Sequence, residues 1–215
     1  MPYWFYVISN LSIALPALAG SVRYRRVAAA WHPFLLLCCL GLANELLSFW
    51  LMNRVRSNMI NSNCYVLLEY LLLLRQFARW NRWPKASARY AAAAGILAWV
   101  TDNLLWHHLS GNNSFFRVTY SVAVVLFSID RINRLAVLEK ARLWKNASFV
   151  LCTGFLLYYC MKATCEAFNL FPLQLDNHFR LLLWSVLSVV NLFANLVYFG
   201  GILWIPRKEA FILPY

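Results

Sequence analysis

Three carboxylates, Glu45, Glu69 and Asp102, each interrupt an apolar run, and the stretch from Leu42 to Trp50 (LANELLSFW) shows the pattern most plainly. An aspartate at the centre of a membrane helix costs about 2.5 to 3.5 kcal/mol on insertion scales, so such an acid normally faces the bundle interior and finds a partner there. No Lys or Arg is expected at the same depth, because Arg75 falls near the inner end of its run and Lys162 near the outer end of another. Burial and mutual repulsion favour the neutral acid, and at least one of the three is expected to be protonated. Two chemical uses remain: a neutral acid that donates a hydrogen bond or a proton, or an anion that holds a cation. The candidate catalytic groups are therefore Glu45 as acid, with Glu69 or Asp102 as its helper.

Helical spacing of three and four supplies company for them. One run carries Cys38, Gly41, Glu45 and Ser48 on a stripe; the next carries Ser62, Tyr65, Glu69 and Gln76; a third carries Gly95, Trp99, Asp102 and Trp106. Tyr3, Tyr6 and Asn10 come from the first run, Ser148, Cys152, Tyr159, Lys162 and Glu166 from the sixth, and Trp184, Ser188, Asn191, Asn195 and Tyr198 from the last. If these faces converge, the candidate ligand-binding residues are Asn10, Asn44, Tyr65, Trp99, Asn103, Tyr159, Asn191 and Asn195. Polar side chains also bind membrane helices together at about 1 kcal/mol per contact. Glue needs only pairs, whereas a pocket draws on many runs.

The elements that must position these groups follow from composition. The chain has 215 residues, 62% of them hydrophobic and 13% charged, which is too apolar for an ordinary soluble domain of this length. Seven apolar runs approach the roughly 20 residues needed to cross a bilayer: 2–22, 32–52, 60–78, 89–109, 116–133, 147–166 and 181–204. The sequence predicts an all-α polytopic integral membrane protein, one domain over 1–215 with seven transmembrane helices.

Basic residues set the orientation, since they concentrate on the cytoplasmic side. With the N-terminus outside, fifteen Lys and Arg fall in the inner segments, against five outside: Arg54, Arg56, Arg117, Lys162 and Arg180. The expected topology is N-out/C-in and multi-pass in the cell membrane, which is the inner membrane where the source is bacterial. The formal charge of +12 is spread over every inner loop without a binding motif, which argues against nucleic acid as a partner. Trp31, Trp80, Trp83, Trp144 and Trp204 fall near the inner boundary and Trp4, Trp50 and Trp106 near the outer one, as aromatic belts would.

Smaller features complete the reading. Pro16 removes a backbone donor and should bend the first helix. Ala91, Ala94, Gly95 and Ala98 offer a neighbour close approach. Six cysteines lack a paired C-x-x-C pattern and read as buried small hydrophobes. Asp130 and Arg134 are spaced for a local ion pair. His107 and His108, with Asp176 and His178, were the one set suited to a metal, but adjacent helical side chains point about 100° apart; neither a metal nor another cofactor is expected. No connection is long enough to fold alone, the longest polar stretches being 79–89 and 134–146.

Seven spans invite comparison with rhodopsins and with the ceramidase and adiponectin-receptor group, but 181–204 contains neither a lysine for retinal nor a histidine pair for zinc. The run LLLCCLGLANELLSFW resembles the second span of the membrane terpene cyclases of meroterpenoid pathways. That resemblance implies an intramembrane acid at Glu45 acting on an isoprenoid; the family's second acid lies in the last span, where this chain has Asn191 and Asn195. The runs NCYVLLEYLLLLRQF and WKNASFVLCTGFLLYY, with the Asn-rich last helix, resemble small uncharacterised seven-span inner-membrane proteins of Gram-negative bacteria, which implies topology alone.

The expected protein is a small-ligand sensor or binding protein working through a separate signalling protein. The alternatives are an intramembrane enzyme acting on a lipid or isoprenoid, and a small-solute or proton-coupled transporter. Its expected partners are the lipid bilayer and a hydrophobic or cationic small molecule.

Overall fold

The structure is a computed structural model describing residues 3–138, 143–171 and 176–207. It is all-α, with eight α-helices among the described residues: α1 Tyr3–Leu11, α2 Ala14–Arg23, α3 His32–Val55, α4 Met59–Trp80, α5 Lys85–Val100, α6 Phe115–Leu138, α7 Ala147–Leu170 and α8 Asn177–Trp204. Four segments are long and apolar enough to cross a membrane: Trp4–Arg26, Ala29–Val55, Ala147–Leu170 and Asn177–Trp204. The middle of the chain is more polar because α4 carries Glu69, Arg75 and Arg79, and α6 carries Arg117, Asp130, Arg131 and Arg134.

The first apolar run is two helices in place of one bent rod. Pro16 has no N–H to donate to the Ser12 carbonyl one turn earlier, and Leu15 N donates to that oxygen instead at 3.1 Å. The break therefore falls at Ser12 and Ile13, a turn before the proline. The fourth run also departs from one regular helix. Helix α5 passes into a π-turn, Thr101–Trp106, that buries the consecutive residues Asp102 and Asn103.

Local signals account for several boundaries. Pro33 sits at the start of α3, where its missing donor costs nothing. The Asn146 side chain accepts from Ser148 N at 2.9 Å and caps α7. Arg56, at φ 59°, takes the left-handed conformation that ends α3.

The rods close into a ring. Helix α7 packs between α6 and α8, α2 bridges α8 and α3, α3 packs on α4, and α4 reaches α6, with α5 on the flank of α4. Phe34, Phe77, Phe155 and Tyr198 pack edge to face at the centre, with Phe155 the common neighbour. Arg23 locks one end by donating to the carbonyls of Leu203 at 2.7 Å and Ile205 at 2.8 Å. Gln76 ties the start of α3 to α4, accepting from Phe34 N at 3.0 Å and donating to Ala30 O at 2.9 Å.

Some expectations need correction. Trp80 is core, 9% exposed, in place of a belt residue, because α4 is buried where it ends. Cys38, Cys152 and Cys165 are buried, but Cys64 and Cys160 are exposed. The ion pair of Asp130 with Arg134 forms at 3.0 Å.

Gly95 does what the small-residue stripe implied. Tyr70 fits against it so closely that an added Cβ would lie 2.0 Å from the ring, and the ring is held by donation to Ala91 O at 2.7 Å. Gly95→Ala should therefore destabilise the protein by about 1 to 3 kcal/mol or more. Gly200→Ala meets nothing within 4 Å and should be neutral or slightly stabilising. Thermal unfolding of both variants in one detergent is the comparison; equal midpoints would refute the packing argument.

Candidate functional site

Glu45 opens onto a cavity of about 90 Å³ at the centre of the ring. Helix α1 and the break after it contribute Asn10 and Ile13; α3 contributes Phe34, Leu37, Cys38, Gly41 and Glu45; α4 contributes Tyr65 and Glu69. Helix α7 adds Phe155, Tyr158, Tyr159 and Lys162, and α8 adds Asn191, Asn195 and Tyr198. Of the expected residues, Glu45, Glu69, Asn10, Tyr65, Tyr159, Asn191 and Asn195 do meet here. Five helices contribute, more than pairwise glue requires.

The two carboxylates on this cavity are not alike. Glu69 accepts from Tyr159 at 2.7 Å through Oε1, and from Tyr120 at 2.5 Å and Lys162 at 3.0 Å through Oε2. Glu69 and Lys162 form a buried ion pair, with side chains 7% and 10% exposed. Lys162 also donates to the Tyr120 hydroxyl and lies 5.0 to 5.6 Å from the ring centres of Tyr120, Tyr158 and Tyr159. Its charge is satisfied by a carboxylate and by aromatic faces. This corrects the expectation that no cation stands level with the acids: the lysine stem is long enough to bring the ammonium to Glu69 from its place on α7.

Glu45, by contrast, has no hydrogen-bond or ion-pair partner among the described residues, although it lies within electrostatic range of Lys162 and Glu69. The hydroxyls of Tyr65, Tyr158 and Tyr198 also line the cavity without a hydrogen-bond partner among the described residues. Asn191 and Asn195 are partly engaged, donating to Ser9 O at 3.1 Å and Ser12 Oγ at 2.8 Å. They join α8 to the broken first rod.

Asp102, Trp99 and Asn103 do not reach this cavity. The π-turn aims Asp102 at α6, where its carboxylate accepts from Phe116 N at 2.8 Å as a cap supplied from a distance; His107 Nδ1 lies 3.1 Å from its other oxygen. Asn103 accepts from Asn113 at 2.9 Å, and Trp99 donates to Asn63 O at 2.8 Å. Asn44 likewise lies outside the cavity lining and accepts from Asn61 at 2.8 Å. These four residues organise helix ends and contacts, so the helper assigned to Asp102 has no geometry here. The histidine set did not assemble either: among the described residues no group of three or more His, Cys, Asp or Glu is arranged to hold a metal.

A second buried ion pair lies one turn further along α7. Arg117 Nη1 donates to Glu166 at 3.3 Å, and its Nη2 donates to Ser62 Oγ and Asn63 Oδ1, both at 2.9 Å. Ser114 donates to the other Glu166 oxygen at 2.7 Å. Asn63 in turn donates to the carbonyls of Leu109 and Gly111, at 2.8 and 2.9 Å, so the connection before α6 is held to this pair. Tyr120, Arg117 and the ion-paired role of Lys162 were missed from sequence. The available signal was the spacing of Lys162 with Glu166, and of Arg117 with Tyr120, one turn apart on two runs.

No protein-family model, no curated protein and no solved structure matches the chain.

Proposed function

We propose that the protein is a seven-span integral membrane protein, N-terminus outside and C-terminus in the cytoplasm, whose central cavity binds a small organic cation. The observation that carries the ligand class is Glu45: one carboxylate without a partner, facing an aromatic and polar cavity in which the other acid already has its cation. Tyrosine faces attract an ammonium group, and a half-buried carboxylate without a cation gains by receiving one.

Size narrows the class. The cavity, about 90 Å³, is smaller than the roughly 150 Å³ cavity that admits benzene and far below the roughly 300 to 1,000 Å³ of drug-sized sites. Ammonium and methylammonium suit it. An isoprenoid would require the helices to part, and Glu69, engaged by three donors, is poorly placed as a helper to the acid Glu45; both points weigh against a cyclase.

The topology is supported by the burial of Arg117 and Lys162 inside the bundle. Among the described residues, Arg54, Arg56 and Arg180 then remain as exposed basic residues at the outer side, against ten exposed at the inner side, which keeps the charge asymmetry. A sensor or binding role through a separate signalling protein is our first reading, supported by the cavity and by the short connections between rods. Transport of the same cation is the second reading, favoured by the helix break at Ser12 and Ile13 beside the cavity, as in carriers built on discontinuous helices.

Methylammonium at a hundred times its Kd should stabilise the purified protein by about 2.7 kcal/mol. Glu45→Gln should abolish that shift while leaving the unliganded melting temperature within a few degrees. If no small amine shifts the wild-type transition at millimolar concentration, or if Glu45→Gln responds equally, the reading fails. Uptake of methylammonium into proteoliposomes separates transport from sensing.

A further inference from the structure

A second site lies away from the central cavity, at the opposite face of the broken first rod. Leu15, Leu18 and Val22 of α2 face Phe199 and Leu203 of α8 across an open groove of about 430 Å³. Three guanidinium groups, Arg23, Arg26 and Arg207, line the same groove, and no acidic residue among the described residues does. We propose that this groove binds one anionic phospholipid, its acyl chain along the apolar walls and its phosphate between Arg26 and Arg207.

The placement of the charges is built into the fold. Arg23 spends its donors on the carbonyls of Leu203 and Ile205 at the end of α8, which fixes a positive charge at the groove mouth. An antiparallel bridge pairs Val27 with Arg207 and so holds Arg207 next to the segment that carries Arg26. Arg26 and Arg207 are exposed and have no carboxylate partner among the described residues.

The walls match the other half of the ligand. Leu18 is 62% and Val22 73% exposed, a cost in water but none against hydrocarbon. From Leu15 to Val22 the helix rises about 10 Å, so the apolar strip runs along the helix from the charged mouth. An acyl chain lies beside the strip while a phosphate meets the guanidinium pair, which binds phosphate in the bidentate geometry that suits it. Inorganic phosphate alone uses only the mouth. Basic pockets between membrane helices on the cytoplasmic side are where anionic headgroups dock.

Native mass spectrometry of delipidated full-length protein, titrated with phosphatidylglycerol or phosphatidylcholine of identical chains, tests this. Phosphatidylglycerol should bind one to one and at least tenfold more tightly. Each guanidinium contributes about fivefold, so the double variant Arg26→Gln/Arg207→Gln should lose about 30-fold with its melting temperature unchanged. Arg25→Gln, an exposed neighbour off the groove lining, should lose nothing. Equal binding of the two lipids would overturn the proposal, as would an equal loss in Arg25→Gln. Displacement of the lipid by millimolar inorganic phosphate would make this an anion site only, and lipid binding that appears only once residues 208–215 are deleted would make the groove a seat for the chain's own end; either result also overturns it.

Discussion

Lys162→Met should destabilise the protein by about 3 to 5 kcal/mol, because it leaves Glu69 buried without its cation. The side chains of the pair are 10% and 7% exposed, so water offers little replacement. Tyr120 and Tyr159 would still donate to Glu69, but two neutral hydroxyls do not neutralise a charge. The double variant Lys162→Met/Glu69→Gln should recover most of the loss, since it removes both charges and keeps an acceptor for the tyrosines. Unfolding in mixed micelles for the two single variants and the double gives the coupling energy directly. Additive losses would mean that the pair is not coupled in the folded protein, and the account of Glu69 as an already neutralised acid would fall with it.

Arg117→Met is expected to cost a similar amount, about 3 to 5 kcal/mol, with a different local signature. Arg117 joins three acceptors from two other helices: Glu166 of α7, and Ser62 and Asn63 of α4. Asn63 carries the restraint on to the carbonyls of Leu109 and Gly111. Loss of the guanidinium should therefore raise hydrogen exchange at 107–114 before any change at the start of α3 and the end of α4. Arg117→Lys should rescue only part of the stability, because a single ammonium keeps the charge but lacks the planar fork that spans separate acceptors. Full rescue by lysine, or unchanged exchange at 107–114, would show that this network contributes charge alone or nothing.

The two expectations share a physical basis with the proposed role of Glu45. Of the carboxylates inside the ring, Glu69 and Glu166 are each matched to a cation on the chain, and Asp102 is used up as a helix cap. Of the carboxylates lining the cavity, Glu45 alone is left without a hydrogen-bond or ion-pair partner among the described residues. The cation proposed above would give it a partner, whereas the other acids find theirs within the fold.

Helix content, the approximate places of the apolar runs and the inward direction of Glu45, Glu69, Tyr65, Tyr159, Asn191 and Asn195 were legible in the sequence. Each depends on local periodicity: a helix repeats every 3.6 residues, so polar groups three and four apart share a face wherever the helix packs. The proline effect was legible for the same reason, although the break lies four residues upstream of Pro16, at the carbonyl that the proline leaves without its donor.

Depth and partnership were decided by tertiary structure. Lys162 read as an outer-end residue because position along a helix sets only where its Cα lies, and a lysine stem moves the charge several ångströms from there. Asp102 read as a pocket residue because a regular α5 would have carried it onto the stripe with Trp99; the π-turn shifts the register after Val100 and turns it towards α6. Periodicity determined which face each polar residue occupies, while pairing across the ring, set by side-chain reach and one extra residue in a turn, decided that Glu69 is neutralised and Glu45 is not.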